Sequence, residues 1–275
     1  MELLILVAVV LLAAAQISLA ARRQHTGSSA APGIVETGYL RFELSPDSGA
    51  WSLLDKRTGV VWRSNPYVPR FGQVTFGRAK PVNLGPCRVT ARGQELVVLF
   101  HPVASAKANW VRVTISPRDD GESLEFACDA APNFPIRSIR LLDEALWVTD
   151  ADDGYVLIPS REGILTPADS QKPYRVAFST FDYQGCDMRM WGVVKGGSAV
   201  LVTWDHPNVI AEIHSRLPAK RPGGARQIVS SSLVLSRSAR SFRLHVLGKG
   251  DYHLSLIHIS EPTRPLYISY AVFCL

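Results

Sequence analysis

Tyr39-Leu40-Arg41-Phe42-Glu43-Leu44 alternates apolar and polar side chains, the period of a half-buried strand. Ser45-Pro46-Asp47-Ser48-Gly49 follows with turn chemistry, and the strand pattern resumes over Ala50 to Leu54. Asp55-Lys56-Arg57-Thr58-Gly59 is a second turn, leading into Val60-Val61-Trp62. The same rhythm predicts strands over Gln73 to Phe76, Glu95 to Phe100, Trp110 to Ile115, Ser123 to Cys128, Ile136 to Leu141 and Tyr155 to Ile158. Further strands are predicted over Arg175 to Ser179, Met190 to Val194, Ala199 to Trp204, Val209 to Ile213, Gln227 to Leu235 and Phe242 to Leu247. Pro, Gly, Asn and Asp punctuate almost every gap.

Between Ile34 and His253 no stretch sustains a 3.6-residue apolar period for three turns without a breaker, so no helix is expected. Many short strands at regular spacing predict an all-β fold, a large antiparallel super-sandwich. No repeat of fixed period appears, which argues against a propeller.

The ends depart from this pattern. Leu3 to Ala15 is a continuous apolar run, followed by Ser18-Leu19-Ala20 with small residues at the positions a signal peptidase reads. It is short for a membrane span, so residues 1–20 are read as a cleaved signal peptide. The n-region holds Glu2 and no Lys or Arg, a departure from the usual basic start. Residues 21–33 are small, polar and Pro/Gly-bearing and read as a flexible linker. The sandwich is expected over 34–253.

The tail 254–275 is of another kind. "LSLIHISEPTR" resembles the in-frame translation of a sequencing-library adapter, and "ISYAVFCL" resembles the adapter end beyond the sample index. The three codons between them fit the index, so both sides agree in frame and spacing. The expectation is a non-native tail, with the natural chain continuing past about His253.

Composition narrows the class. The chain has 275 residues, 47% hydrophobic and 20% charged, as in a globular protein. Its net charge is +6, yet Lys and Arg are scattered without a basic stripe, which argues against nucleic acid as a partner. A cleaved signal implies a secreted or periplasmic protein with no membrane attachment afterwards. Cys87, Cys128, Cys186 and Cys274 show no metal or redox spacing and read mainly as small buried residues.

Catalytic motifs are absent: no P-loop, no G-x-S-x-G, no H-E-x-x-H. Neither cofactor nor metal is expected. Asp150-Ala151-Asp152-Asp153-Gly154 clusters carboxylates but misses the calcium-loop spacing and reads as a turn. "AKRPGGAR", Ala219 to Arg226, is a basic loop tip. Six tryptophans could stack on sugar rings, although core packing is the simpler reading. Trp204-Asp205 stands at a strand end, where side chains line clefts. Arg161-Glu162 follows the Tyr155 strand and could hydrogen-bond a polyol. Trp204, Asp205, Arg161 and Glu162 are therefore the candidate carbohydrate contacts, and no residue is assigned a catalytic role.

Four phrases occur in one order: "LSPDSGAWSLLDKRTGVVWRS", "DDGYVLIPSREGIL", "GVVKGGSAVLVTWDHP" and "SLVLSRSARSFRLHVLGKGDY". Together they resemble the N-terminal β-domain of secreted bacterial glycoside hydrolases and hydrolase-like proteins related to the endo-α-N-acetylgalactosaminidase family. The resemblance implies a galactose-mutarotase-like super-sandwich preceding a (β/α)₈ barrel that carries the catalytic carboxylates. Its implied partners are carbohydrate and the missing C-terminal catalytic domain of the same chain. Three readings follow: the accessory sandwich of a truncated hydrolase, inactive by itself; a non-enzymatic carbohydrate-binding or cell-surface module; and a mutarotase, which needs His and Glu in one cleft. His101, His206, His214 and His245 are the histidines available for the last.

Overall fold

The computed structural model describes residues 30–159, 164–170, 172–179, 188–217, 225–236 and 240–249. The expected signal peptide, the tail 254–275 and residues 21–29 of the expected linker lie outside them. The strands are β1 (Gly33–Glu36), β2 (Leu40–Leu44), β3 (Trp51–Asp55), β4 (Val61–Arg63), β5 (Gly72–Phe76), β6 (Val82–Leu84), β7 (Cys87–Arg92), β8 (Glu95–Phe100), β9 (Val111–Pro117) and β10 (Ser123–Ala130). After these come β11 (Ile136–Thr149), β12 (Tyr155–Ile158), β13 (Ile164–Pro167), β14 (Tyr174–Phe178), β15 (Met190–Lys195), β16 (Ser198–Thr203), β17 (Val209–Arg216), β18 (Ile228–Ser236) and β19 (Ser241–Lys249). There is no helix among the described residues.

The strands form a four-stranded sheet β1-β2-β3-β4, a nine-stranded sheet β13-β12-β15-β16-β19-β10-β9-β8-β7, and a six-stranded sheet β14-β17-β18-β11-β5-β6. Neighbouring strands pair antiparallel, as between β17 and β18 or β9 and β10. The result is the all-β antiparallel sandwich that the alternation predicts. β1, β6, β7 and β13 lack a counterpart in the sequence pattern, and all four are sheet edges. β6, β7 and β13 bury little on either face, so alternation is weakly imposed on them, and β1 is only four residues long. β7, for example, keeps only half-buried and exposed positions along Cys87–Arg92.

One continuous core gathers the inward residues of all three sheets. Its centre is aromatic: Phe42 meets Phe126 edge-on at 5.8 Å and Trp51 at 5.7 Å, while Phe126 stacks on Phe242 at 4.8 Å. Phe42, Leu53 and Trp62 stand opposite one another across β2, β3 and β4, which puts them on one face. Such pairs add specificity to the large area that aromatic side chains bury.

A buried carboxylate ties the four-stranded sheet to the nine-stranded one. Asp55 ends β3 with a fully buried side chain. Its Oδ2 accepts from the Ser198 hydroxyl on β16 at 2.8 Å and from Thr58 at 2.8 Å, and its Oδ1 accepts the Arg57 backbone N–H at 3.1 Å. Trp62 donates its indole N–H to the same Ser198 oxygen at 3.2 Å. Arg57, from the adjoining turn, reaches Glu122 at 2.6 Å and the Val246 carbonyl at 2.5 Å. Beside it β19 takes left-handed backbone at Gly248 (φ +62), where a Cβ would meet the Arg57 guanidinium at 2.7 Å. The turn "LDKRTG" legible in the sequence is thus joined to β16 and β19 of the nine-stranded sheet.

Removing this carboxylate orphans several buried donors at once. Asp55→Ala is expected to lower the unfolding free energy by on the order of 3 kcal/mol. Urea denaturation reads the loss, and an unchanged midpoint would show that the joint does not hold the sheets.

Candidate functional site

The six-stranded sheet buries one face in the core and turns the other outward. On β17, Glu212, His214 and Arg216 occupy alternate positions, so their side chains share the outward face. Ser232 and Ser230 of β18 stand opposite Glu212 and His214, and on β14 Arg175 pairs with His214. Arg140 of β11 stands opposite Val234 on one side and Gln73 of β5 on the other.

The next part of β11 is irregular. From Leu141 to Ala145 the strand advances four residues while β18 moves two, from Leu233 to Ser231. Leu142 (φ 48), Glu144 (φ 53) and Leu146 (φ 51) all take left-handed backbone, which L-residues avoid. β18 satisfies the displaced backbone with side chains: Ser232 Oγ accepts the Glu144 N–H at 2.9 Å, and the Ser231 hydroxyl donates to the Ala145 carbonyl at 3.0 Å. On the β5 side the contact is equally close, since a Cβ at Gly72 would run into the Arg140 carbonyl. The bulge delivers Asp143 and Glu144 to the edge of the outward face.

There the side chains enclose a cleft of about 270 Å³, lined by Arg70, Gln73, Arg140, Asp143, Glu144, Arg175, Glu212 and His214 among others. Arg140 grips Glu212 with two bonds, 2.9 and 3.1 Å, the geometry that suits a guanidinium to a carboxylate. Arg175 adds a single contact to Glu212 at 3.3 Å. Arg216 pairs with Glu144, and Arg70 with Asp143. His214 stands between the two glutamates, its Nε2 3.5 Å from Glu212 and its Nδ1 3.8 Å from Glu144.

These partners set the charge states. Burial opposes ionisation of Glu144, but hydrogen bonds from His214 and Arg216 and their positive charge outweigh it and hold the carboxyl at about 2. Glu212 is likewise lowered: burial opposes, and the Arg140 bond and charge, with Arg175 and His214, prevail. At Asp143 burial wins over the pull of Arg70 and the carboxyl is raised. The cleft thus presents fixed charges of both signs and several hydrogen-bonding groups, an arrangement suited to holding a polar ligand.

The sequence candidates fall elsewhere. Trp204 is 3% exposed and packs 6.3 Å from Phe178, so stacking on a sugar would require it to leave the core. Asp205 is exposed; its carbonyl accepts from Arg189 and its carboxylate lies 3.4 Å from Arg243. Neither lines the cleft. Arg161 and Glu162 lie outside the described residues, as do Cys186 and most of the Ala219–Arg226 loop. His206 accepts the Asn208 N–H at 3.1 Å, a turn contact, and His245 is bonded to Ser123 at 2.8 Å and Thr203 at 2.9 Å. In the 150–154 turn, Asp152 accepts from the Thr149 N–H and hydroxyl, and Asp150 from the N–H groups of Arg226 and Gln227. Cys87 and Cys128 are free thiols, each pushed up to about 12 by burial. Of the cleft residues the sequence singles out only His214, although charged side chains at alternate positions of "EIHSR" are the signal for a polar outward face.

The chain matches no protein-family model and no curated protein. Among solved structures it is similar in fold to the α-N-acetylgalactosaminidase NagBb from Bifidobacterium bifidum. Against its GalNAc complex the TM-score is 0.64 at 13% identity, covering 82% of this chain and 38% of that one. Against the ligand-free form the TM-score is 0.58 at 14% identity, over 83% and 38%. The chain therefore has the fold of one part of a glycoside hydrolase and spans well under half of that enzyme's length.

The lowered Glu144 makes a pH prediction. Its folded value lies below its ordinary 4.5, so its contribution is complete above the ordinary value and is lost as pH falls toward 2. Glu144→Gln is expected to lower stability at pH 6 and to flatten its decline between pH 5 and 2. Denaturant midpoints measured across that range check this, and parallel profiles would contradict it.

Proposed function

We propose that this chain is the accessory β-sandwich of a secreted glycoside hydrolase, binding carbohydrate in the outward cleft while a catalytic domain elsewhere in the parent enzyme cleaves the bond. The observation that carries this reading is the fold similarity to NagBb over 82% of this chain and 38% of that enzyme. The charge states of the cleft support the division of labour. Glycoside hydrolysis needs a carboxylic acid that still holds its proton, facing a second carboxylate. Glu144 and Glu212 are both lowered by guanidinium partners, and Asp143, which burial raises, is bonded to Arg70, so all three carboxyls are committed to guanidinium groups.

A non-enzymatic secreted carbohydrate-binding or cell-surface module would use the same cleft. The mutarotase reading gains one specific observation, the placement of His214 between Glu144 and Glu212. Sugar ring opening needs a base and an acid near the anomeric hydroxyl and the ring oxygen. Both glutamates are committed to guanidinium groups, which makes them weak bases, and this favours binding over ring opening.

Two assays on the purified full chain separate these readings. With an aryl α-N-acetylgalactosaminide we expect no release of the aryl alcohol above buffer, and by polarimetry we expect galactose to mutarotate at its uncatalysed rate. Hydrolysis or accelerated mutarotation that Glu144→Gln abolishes would overturn the accessory reading. In a parent enzyme carrying a catalytic domain, deleting the sandwich is expected to impair hydrolysis. Full activity without it would leave the binding module as the better account.

A further inference from the structure

We propose that the cleft binds an anionic saccharide, whose carboxylate or sulfate group is seated on Arg175. This deepens the reading that the cleft takes carbohydrate and rests on it.

The argument begins with the pairing of charges. Four guanidinium groups, of Arg70, Arg140, Arg175 and Arg216, meet three carboxylates, of Asp143, Glu144 and Glu212. Each carboxylate already has a dedicated partner: Arg70 for Asp143, Arg216 for Glu144, and the two-pronged Arg140 for Glu212. Arg175 is the surplus cation. Its one contact, at 3.3 Å, goes to the Glu212 oxygen that Arg140 already holds at 2.9 Å. With 66% of its side chain exposed, most of its donor fork is free to meet a carboxylate or sulfate.

Neutral recognition groups accompany it. Gln73, Thr75 and Ser138 add an amide and two hydroxyls to the lining. A single inorganic anion would engage Arg175 and leave these groups unused, whereas a sugar ring bearing an acid group engages both sets. The adjoining left-handed backbone at Glu144 belongs to the kind of strain that concentrates at ligand sites.

The test is a calorimetric or amide-shift titration of the full chain with four probes: methyl glucuronide, galactose 6-sulfate, methyl galactoside and sodium sulfate. The charged sugars are expected to bind at least about tenfold more tightly than methyl galactoside. The stronger of the two identifies the acid group. Arg175→Ala should bring the charged sugars down to the neutral level with an unchanged Tm, because the side chain is mostly in water. Arg175→Lys should recover only part of the difference, since it keeps the charge and loses the fork. Equal binding of charged and neutral sugars, or an Arg175→Ala variant that binds as before, overturns the proposal while leaving a carbohydrate cleft intact. Sodium sulfate binding as tightly as galactose 6-sulfate would mean an adventitious ion only. If no sugar binds, this proposal and the carbohydrate role of the cleft fall together, and the hydrolase reading is then judged by deletion of the sandwich in the parent enzyme.

Discussion

The Glu144 backbone N–H, turned out of the β11 ladder and bonded to the Ser232 hydroxyl, is the contact on which the outward cleft depends. A regular strand would alternate through Leu142, Asp143 and Glu144 and pair each with β18. Here three residues of one strand take left-handed backbone, at roughly 1–2 kcal/mol each. The offset comes from both sides of the sheet. Leu142 and Leu146 are buried at 2% and 1% exposure, each worth about 2 kcal/mol of transfer. Ser231 and Ser232 satisfy the backbone groups that the bulge removes from the ladder. The strain is sustained by packing below and hydroxyls alongside, and it places two acids where Arg70 and Arg216 meet them.

Elsewhere, among the described residues, few charges are buried. Asp55 is fully buried and is surrounded by donors, which offset the cost of removing a carboxylate from water. Lys195 lies 5.0 Å over both the Trp62 and Trp147 rings, and burial lowers its pKa. The ammonium rests against aromatic faces that partly replace its lost hydration. These devices stiffen the joint between sheets, whereas Arg175 of the cleft is mostly in solvent and remains available to a ligand.

How much of this was legible follows from which forces write themselves into local sequence. Central strands such as β2 and β9 bury one face in the core, so alternation marks them. Edge strands such as β6 and β13 have little to bury, and their residues carry no period. β11 was visible only to Leu141, because "LLDEALWVT" reads as an irregular mixture unless the bulge is known. The cleft was invisible for a related reason. Arg140, Glu212 and Arg175 lie on three strands far apart in sequence, and only the strand order of the sheet makes them neighbours. Trp204-Asp205, by contrast, adjoin at a strand end, yet one points to the core and the other to solvent.

The most direct test of this account is the unfolding free energy of Ser232→Ala. If the hydroxyl is the acceptor for the Glu144 N–H, its removal strands a buried donor, and the loss should be about 1–3 kcal/mol. If β11 instead ran as a regular strand, that N–H would bond a β18 carbonyl and the hydroxyl would be dispensable. A loss below about 0.5 kcal/mol, the range of an inconsequential substitution, would contradict the bulge and with it the cleft built upon it.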